Sequence, residues 1–407
     1  MRILIYSYNY YPEPIGIAPL MTELAEGLAQ RGHQVCVVTA MPNYPERRIY
    51  PGYQGKLYLT EHRNGVLLKR SYVWIRPRPK LLDRLLLDGS FVLTSFPHAL
   101  IGGQPEIILA TVPPLPVCLP ATFLGWLRRC PVVLNIQDIQ HEAAVQVGLL
   151  KNKLVIRIFA ALEKFAYRTA NKITVIADGF TQNLLQKGVP PQKIVLIPNW
   201  VDINFIKPLR KETNTFRNSH QLQNKFVVLY SGNIALTQGL NTVIKASYRL
   251  QNISDIVILI VGENRALDEL RSKYPPGNNV LLLPLQPRTE LPEMLNAANV
   301  SLVVQKERVI AFNMPSKIPV ILASGCPIIA SVPPTGTAAH AIENSGGGVL
   351  VPPENPEALA TAILDLYNHP EKIKELGENG RKYAVENYNF EQRLNQYEEL
   401  FLTMTSK

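Results

Sequence analysis

Short apolar runs alternate with amphipathic stretches along almost the whole chain. In the first half these runs are rich in valine and isoleucine and hydrophobic throughout, which is typical of strands buried on both faces. They are Arg2–Tyr8, Gln34–Thr39, Gly65–Val73, Glu106–Val112, Pro131–Asp138, Lys172–Ile176 and Ile194–Pro198. A second set follows at Phe226–Ser231, Ile256–Val261, Val280–Leu283, Val300–Val304, Pro327–Ala330 and Gly348–Val351. Strands that alternate with helices predict parallel sheets with helices on both faces.

Between these runs, apolar residues recur at the spacing of an α-helix. Leu20, Leu24 and Leu28 form one apolar stripe, and a second stripe lies over residues 154–162. The stretch 202–225 is polar and separates the two sets of strands, so it is interpreted as a linker. The pattern therefore predicts an α/β protein with two doubly wound domains of similar size.

Composition limits the class of protein. The chain has 407 residues, of which 46% are hydrophobic and 18% charged, which excludes a disordered or fibrous chain. Four scattered cysteines without paired spacing argue against a disulfide framework or zinc site. Met1 is followed directly by a strand-like run, and no apolar run is uninterrupted over about 18–20 residues, so neither a secretion signal nor a membrane span is expected.

Charge is distributed unevenly. The formal net charge is +10, and residues 1–205 carry +9 of it. Such asymmetry predicts an anionic partner for the first half, either nucleic acid or an acidic membrane surface. Basic residues flank apolar ones at 76–87 and at 151–164, which favours a membrane surface, although either stripe could equally be a solvated face over a core helix. Aromatic residues do not interleave with the basic runs, so nucleic acid is disfavoured.

Three turns at the carboxyl ends of predicted strands contain candidate ligand-binding residues, because open parallel sheets bind ligands there. Gly16 follows the first strand, and Gly232 with Asn233 follows the run FVVLY. Each is also compatible with an ordinary turn. Ser316 is a suitable cap for the helix that Lys317 opens. A lysine at the positive end of a helix dipole is unfavourable unless an anion is nearby, so a diphosphate is expected there unless the side chain simply extends into solvent.

Polar residues end two further strands. Gln137 and Asp138 end one strand of the basic half, and Glu263 ends one of the second half, where each could alternatively cap a helix or form a turn. The histidines show no spacing typical of metal ligands, so no metal site is predicted.

Several of these segments resemble one known family. YPEPIGIAPLMTELAEGLAQRGHQVCVVTA, KITVIADGFTQNLLQKGVPPQKIVLIPNWVD, VVLYSGNIALTQGL and PSKIPVILASGCPIIAS are similar to segments of the retaining glycosyltransferases of family 4 (group 1), and the resemblance covers essentially the whole chain. The motifs IQD, NWVD, VVQK and PSK resemble the subgroup of colanic acid and related exopolysaccharide biosynthesis. The resemblance implies the GT-B fold, with two doubly wound Rossmann-like domains and a cleft between them.

The resemblance also implies domain roles. Residues 1–205 would form the acceptor-side domain and residues 206–385 the nucleotide-sugar donor domain, with a helix over 386–407 packing back on the first. Gly16, Gly232, Asn233, Gln238, Glu263, Ser316 and Lys317 are the predicted donor-binding residues. Gln137 and Asp138 are predicted on the acceptor side, and Asp138 and Lys317 are the predicted catalytic residues.

Four positions depart from the family pattern. Gln238 stands where the family has a lysine, and Gln137 where many members have a histidine. The paired glutamates of the family fall on Phe312 and Val320, which cannot bind a hydroxyl through their side chains. Lys317 and backbone amides are therefore expected to carry more of the diphosphate binding.

The function implied is transfer of a sugar, with retention, from a UDP- or GDP-linked donor to a lipid-linked saccharide acceptor in cell-surface polysaccharide biosynthesis. No cofactor or metal is expected, and the enzyme would be cytoplasmic, held through its N-terminal domain at the anionic inner face of the plasma membrane. A GT-B sugar-nucleotide epimerase is one alternative, although the basic half lacks a cluster of acid and base carboxylates. A non-catalytic nucleotide-sugar binding protein is another, since the glutamate pair and the histidine are missing.

Overall fold

The computed structural model describes residues 1–14, 16–77, 81–139, 142, 145, 150, 152–234, 237–309 and 314–406. Its contacts divide the chain into two compact units. The N-terminal unit comprises Met1–Pro198 with Glu391–Lys407, and the C-terminal unit comprises Asn199–Phe390. None of the helices in the described residues is long and apolar enough to cross a bilayer.

The N-terminal unit contains an eight-stranded sheet in the order β3-β4-β2-β1-β5-β6-β7-β8. All neighbours pair in parallel except β3, which is antiparallel to β4 and lies at the edge. The strands are β1 (Arg2–Tyr6), β2 (Gln34–Ala40), β3 (Tyr58–Arg63), β4 (Val66–Ser71), β5 (Ile107–Val112), β6 (Val132–Ile136), β7 (Lys172–Val175) and β8 (Ile194–Leu196). The described helices are α1 (Ile17–Gln30), α2 (Leu81–Leu100), α3 (Cys118–Arg128), α4 (Lys153–Thr169) and α5 (Asp178–Gln186).

The C-terminal unit contains a six-stranded, wholly parallel sheet in the order β11-β10-β9-β12-β13-β14. Its strands are β9 (Phe226–Ser231), β10 (Ile256–Gly262), β11 (Val280–Pro284), β12 (Val300–Val304), β13 (Ile328–Ser331) and β14 (Gly348–Val351). Its described helices are α6 (Thr215–Ser219), α7 (Leu240–Leu250), α8 (Asn264–Lys273), α9 (Leu291–Ala297), α10 (Lys317–Ala323), α11 (Thr337–Ser345), α12 (Pro356–Asn368) and α13 (Pro370–Asn387).

The alternating directions of the side chains along β9 explain why helices cover this sheet on both faces. Val227 and Leu229 are buried in one apolar core, whereas Val228 and Tyr230 are buried in another. Successive side chains of a strand point to opposite faces, so an uninterrupted apolar run needs a helical layer on each side. The prediction of two doubly wound sheets is confirmed.

Two predictions about the chain between the domains differ from the structure. The first unit boundary falls after Pro198 rather than after 205, because Val201 hydrogen-bonds to Tyr388 O at 2.8 Å within the C-terminal unit. The stretch 202–225 is not a linker, since Phe216 and Leu222 are buried in the core of that unit. Its polar residues cap helices and hydrogen-bond to the backbone. The Asn214 side chain accepts a hydrogen bond from Arg217 N and donates one to Glu293 O, at 2.8 Å each.

The order of strands reverses once in each sheet. Strand β1 lies between β2 and β5, and strand β9 lies between β10 and β12. At such a reversal the loops after the two central strands diverge to opposite faces and leave a crevice at their carboxyl ends. The loops after β9 and β12 therefore define the ligand-binding edge of the C-terminal sheet.

The last helix, α14 (Phe390–Thr405), supplies residues from 391 onward to the N-terminal unit, rather than from 386 as expected. Its Tyr397 is 1% exposed, and the hydroxyl accepts a hydrogen bond from Asn135 Nδ2 at 2.8 Å. Glu398 of the same helix pairs through Oε2 with Nη1 of Arg31, the residue after α1, at 2.7 Å. A buried amide on a central strand thus depends on a hydroxyl from the opposite end of the chain.

The change Tyr397→Phe is expected to lower the free energy of unfolding of the N-terminal unit by about 1–2 kcal/mol, because one buried N–H of Asn135 loses its acceptor. Urea denaturation followed by circular dichroism measures this. The control Tyr58→Phe, on the edge strand where Tyr58 is 42% exposed, is expected to change stability by less than about 0.5 kcal/mol. Equal effects of the two changes would contradict the role of the Tyr397 hydroxyl.

Candidate functional site

Lys317, the first residue of α10, places its ammonium against the carboxyl end of β9. Its Nζ lies 3.8 Å from the centroid of the Tyr230 ring. Part of the side chain is exposed, but Nζ itself is buried and finds no hydrogen-bond partner among the residues that the structure describes. Burial lowers the pKa of this ammonium to about 7. The alternative that the Lys317 side chain simply extends into solvent is therefore wrong, and the site holds a buried ammonium without a counter-charge among the described residues.

Gly232 lets the backbone approach this ammonium. Its φ is +130°, a conformation that favours glycine, and a methyl group added to it would lie 3.2 Å from Nζ of Lys317. The hydroxyl of Tyr230 donates to Asn233 O at 2.7 Å and lies 3.5 Å from Gln238 Oε1. Four of the predicted donor-binding residues are therefore brought together around Tyr230: Gly232, Asn233, Gln238 and Lys317.

The loop after β12 joins the loop after β9 at the same edge. Lys306 N donates to Thr237 O at 2.9 Å. Gln305, which directly follows β12, is 3% exposed, and its Nε2 has no hydrogen-bond partner within the described part of the chain. Sequence analysis gave Gln305 no role, although a polar residue directly after a fully apolar strand is the signal that could have found it. The edge therefore presents two buried nitrogen donors, Gln305 Nε2 directly after β12 and Lys317 Nζ at the start of α10.

Ser316 and Glu263 reach the same edge with exposed side chains. The prediction that Ser316 caps α10 is wrong, because its side chain makes no capping hydrogen bond. Its backbone is already helical (φ −59°, ψ −16°), whereas a capping side chain needs an extended backbone to reach the next amides. Glu263 precedes α8 and makes no capping hydrogen bond either.

The two positions of the family glutamates are not equivalent in the structure. Phe312 lies outside the described residues. Val320 lies on α10 and packs against the apolar core of the C-terminal unit. Its side chain is therefore part of the core packing.

The first turn of the N-terminal unit is organised by Glu13, which sequence analysis missed. Gly16 precedes α1 with a φ of +73°, and an added Cβ would meet only Tyr44 Cε1 at 3.9 Å, so conformation rather than space requires glycine there. Glu13 is 4% exposed and accepts hydrogen bonds from Asn43 N at 2.8 Å and Asn9 Nδ2 at 2.6 Å. Burial raises the pKa of this carboxyl, and the hydrogen bonds oppose that shift.

Asp88 on α2 is a second acid that sequence analysis did not single out. Burial raises the pKa of its carboxyl to about 7. The charges of both Glu13 and Asp88 raise the pKa of Tyr8, whose hydroxyl donates to Asn43 Oδ1 at 3.3 Å. The signal that could have found Asp88 is its place as the one acid in the largely apolar segment 85–101. Two carboxyl groups with raised pKa values therefore act on one tyrosine near the carboxyl end of β1.

Gln137 and Asp138 follow β6 and point to different surroundings. Gln137 is 8% exposed and its Nε2 donates to Asn135 Oδ1 at 2.9 Å, which joins it to the amide that Tyr397 supports. Asp138 is exposed and follows this buried network directly. Within the described ranges, no three His, Cys, Asp or Glu side chains are grouped as metal ligands.

Comparison with known proteins identifies the family. Residues 16–200 match the glycosyl transferase 4-like domain, and residues 212–383 match the glycosyl transferases of group 1. The putative colanic acid biosynthesis glycosyl transferase WcaI of Escherichia coli (strain K12) is 32% identical over 374 residues, which cover 89% of this chain and 91% of that protein. The chain therefore belongs to the group 1 glycosyltransferases, enzymes of class EC 2.4.

Solved structures agree on the fold. Sucrose-phosphate synthase from Thermosynechococcus elongatus matches with a TM-score of 0.75 at 19% identity, over 100% of both chains. Anabaena HepE in complex with UDP-glucose matches with a TM-score of 0.70 at 17% identity, over 99% of this chain and 100% of that one. The two Rossmann-like sheets are those of the GT-B fold, as the resemblance implied.

The buried ammonium predicts a stability that depends on pH. In the folded protein Lys317 loses its proton near pH 7, whereas in the unfolded chain it keeps it up to about 10.5. Because the unfolded state binds more protons in this window, the contribution of Lys317 to stability rises with pH. We expect Lys317→Met to stabilise the free protein by about 2–4 kcal/mol near pH 7, with the gain shrinking toward pH 10.

Urea titrations of the wild type and Lys317→Met from pH 6 to 9.5 measure this difference. The exposed lysine of α7, changed in Lys245→Met, is the control for loss of one positive charge. A stability difference between wild type and Lys317→Met that does not vary with pH would show that the ammonium is not desolvated.

Proposed function

We propose that this glycosyltransferase moves a sugar from a UDP- or GDP-linked donor to a saccharide hydroxyl, with retention of configuration and without a bound metal. The observation that carries the proposal is the buried ammonium of Lys317, which has no partner in the described residues, at the edge where doubly wound sheets bind nucleotides. The structural similarity to HepE, which was solved with UDP-glucose, supports a nucleotide sugar as the donor.

The leaving diphosphate explains why a lysine with a pKa near 7 suits this position. A diphosphate beside Nζ favours the protonated form, so binding of the donor restores the positive charge that burial disfavours. As the glycosidic bond breaks, negative charge grows on the diphosphate oxygens and strengthens this pairing. Gly232 leaves space for the same group, and Nε2 of Gln305, unpartnered within the described ranges, can donate to it. A preorganised donor in a dry site contributes about 3–4 kcal/mol to transition-state stabilisation.

Positioning of the acceptor is assigned to the N-terminal unit. Asp138, exposed at the end of β6, is the candidate for contact with the sugar or the acceptor hydroxyl. Asp88 has a pKa of about 7, which suits a group that exchanges a proton near neutral pH. Glu13 holds the turn before α1 in one geometry through its bonds to Asn43 and Asn9. No covalent intermediate on the enzyme is proposed.

Replacement of Lys317 by alanine tests the donor assignment. Lys317→Ala is expected to weaken nucleoside diphosphate binding about tenfold or more and to slow transfer about 100-fold or more, because the leaving group loses its buried counter-charge. Binding of the free nucleoside is expected to be unchanged, since it carries no phosphate. Isothermal titration with UDP, GDP, uridine and guanosine separates these effects, with Lys245→Ala as the control.

Unchanged diphosphate affinity and transfer in Lys317→Ala would overturn the assignment. Conversion of a nucleotide sugar without any acceptor would instead indicate an epimerase. Donor binding without turnover on any acceptor would indicate a non-catalytic binding protein.

A lipid-linked acceptor at an anionic membrane is supported by an apolar patch on the N-terminal unit. Helix α3 packs against both α2 and α4, and Phe123 of α3 meets Phe96 of α2 with ring centroids 5.4 Å apart. Leu93 is 76% and Trp126 74% exposed. We define the apolar patch as the exposed residues Leu82, Leu86, Leu93, Leu119, Phe123, Trp126, Leu127, Leu154, Ile158 and Phe165.

The stripe predicted at 154–162 faces outward rather than into the core. Glu163, Ala166 and Tyr167 form the buried side of α4, whereas Leu154 and Ile158 are more than half exposed. Exposed basic residues accompany the patch: Arg84, Arg129, Lys153, Arg157 and Lys164. Of the other basic residues in the predicted stripes, Arg78, Lys80 and Lys151 lie outside the described residues. Apolar insertion combined with a contribution of about 1 kcal/mol per basic residue favours an anionic lipid surface, here assigned as the inner face of the plasma membrane.

The double change Leu93→Ser and Trp126→Ser is expected to abolish flotation with anionic vesicles, because it removes the two most exposed apolar side chains of the patch. Leu285→Ser, at a 50% exposed leucine of the C-terminal unit, is the matched control and should float like the wild type. Flotation of the wild type that is equal with neutral and anionic vesicles would contradict the role of the basic residues. Flotation that survives the double change would contradict the patch.

A further inference from the structure

A ligand-sized cavity lies within the C-terminal unit, away from Lys317. Its volume is about 530 Å³, which is within the range of small-molecule sites. Apolar walls come from Leu209, Pro327 and Ile373, among other lining residues. A basic group completes the lining: Lys211, Lys374, Arg381 and Lys382. We call it the basic cavity.

The basic cavity is at the opposite edge of the sheet from the donor site. Ala298 and Pro327 line it; Ala298 lies two residues before β12, and Pro327 directly precedes β13. Gln305 and Lys317, by contrast, follow the carboxyl end of β12. A ligand of the basic cavity therefore does not occupy the position proposed for the transferred sugar or its diphosphate.

Positive charge in the basic cavity is poorly compensated. Among its described lining residues one carboxylate, Glu378, faces four cations, and it lies 3.9 Å from Lys374 on the exposed surface of α13. The Arg381 guanidinium donates to three carbonyl oxygens, those of Ile203, Ile206 and Ala323, at 2.7–3.0 Å. Carbonyl oxygens are neutral, so these bonds fix the guanidinium in place without removing its charge. Lys211 and Lys382 have no ion pair within the described chain.

Lys211 is the cation that the cavity holds most deeply. It is half-buried, and desolvation lowers the pKa of its ammonium. Cys326, another lining residue, acts on it electrostatically and is 5% exposed. The charge of Glu212 opposes this shift without cancelling it, so Lys211 gains from a bound anion for the same physical reason as Lys317.

We propose that the basic cavity binds a small organic phosphate, a phosphomonoester on a ring-shaped body. The phosphate would pair with Lys211 and the neighbouring cations, and the ring would lie against the apolar walls of Leu209, Pro327 and Ile373. The volume exceeds the needs of an inorganic ion, and the apolar lining favours a ligand with a body attached to its charge.

Helix α10 connects this cavity to the donor site. Lys317 begins the helix, and the last residue, Ala323, gives its carbonyl to Arg381 in the cavity wall at 2.7 Å. Seven residues of helix span only about 10 Å, so a ligand that shifts Arg381 also shifts the end of the element that carries Lys317. The cavity is thus assigned as a regulatory site, and this coupling rests on the proposed function, whereas the binding itself does not.

Binding is tested by isothermal titration of the whole protein with inorganic phosphate, glucose 6-phosphate and AMP in the absence of donor. At least one phosphomonoester is expected to bind with one-to-one stoichiometry and more tightly than inorganic phosphate. Lys211→Ala combined with Lys382→Glu is expected to weaken it about tenfold or more. Lys317→Ala is expected to leave this binding unchanged, and Lys245→Glu controls for charge reversal on the same unit. Thermal melts of all variants confirm that they are folded.

Three outcomes would overturn the inference. One is that none of the three probes binds. Another is that binding is lost in Lys317→Ala, which would place the probe at the donor edge. The third is binding that the change at Lys211 and Lys382 leaves intact. The coupling is measured separately, as a change in UDP or GDP affinity when the cavity is saturated; no change would remove the regulatory role and leave the binding site and the donor assignment standing.

Discussion

The carboxyl edge of the C-terminal sheet depends on one constraint. The described residues leave the charge of a buried ammonium uncompensated. Lys317 lies against the ring of Tyr230, which offers a cation only a modest electrostatic attraction. Gly232 leaves room beside it, and the same Tyr230 fixes the turn through Asn233. In a protein selected for stability alone, an apolar residue would serve better at this position. In a ligand-binding protein this loss of stability is tolerated, because the bound anion compensates the charge.

In the N-terminal unit, burial desolvates carboxyl groups, which carry the opposite charge. Burial raises the pKa values of Glu13 and Asp88, and that of Asp88 reaches about 7, so the protonation state of Asp88 responds to small changes around it near neutral pH. Its outer helices expose leucine, phenylalanine and tryptophan beside arginine and lysine. In the proposed function, the net charge of +9 in residues 1–205 attracts a lipid surface and the acceptor it carries. That proposal assigns donor chemistry and acceptor recruitment to separate units.

Apolar patterning predicted the central strands well because buried parallel strands are hydrophobic throughout. It missed β3, whose residues YLTEHR alternate in burial at the sheet edge and include Glu61, His62 and Arg63. The stretch 202–225 was misinterpreted because its polar residues bind the backbone instead of water. Lys317 was found from its position at a helix start, since the dipole argument needs only local sequence. Gln305 and Asp88 were missed because their importance comes from burial, which depends on neighbours distant in the chain.

The most direct measurement is the titration of Lys317 itself, followed by NMR with isotope-labelled lysine and assigned by comparison with Lys317→Arg. The account predicts a pKa of about 7 in the free enzyme, well below the ordinary 10.5 of lysine. Saturation with UDP or GDP should raise this value by at least about two units, because the bound diphosphate supplies the missing counter-charge. A pKa near 10.5 in the free enzyme, or one that does not respond to either nucleotide, would contradict the central role of the buried ammonium.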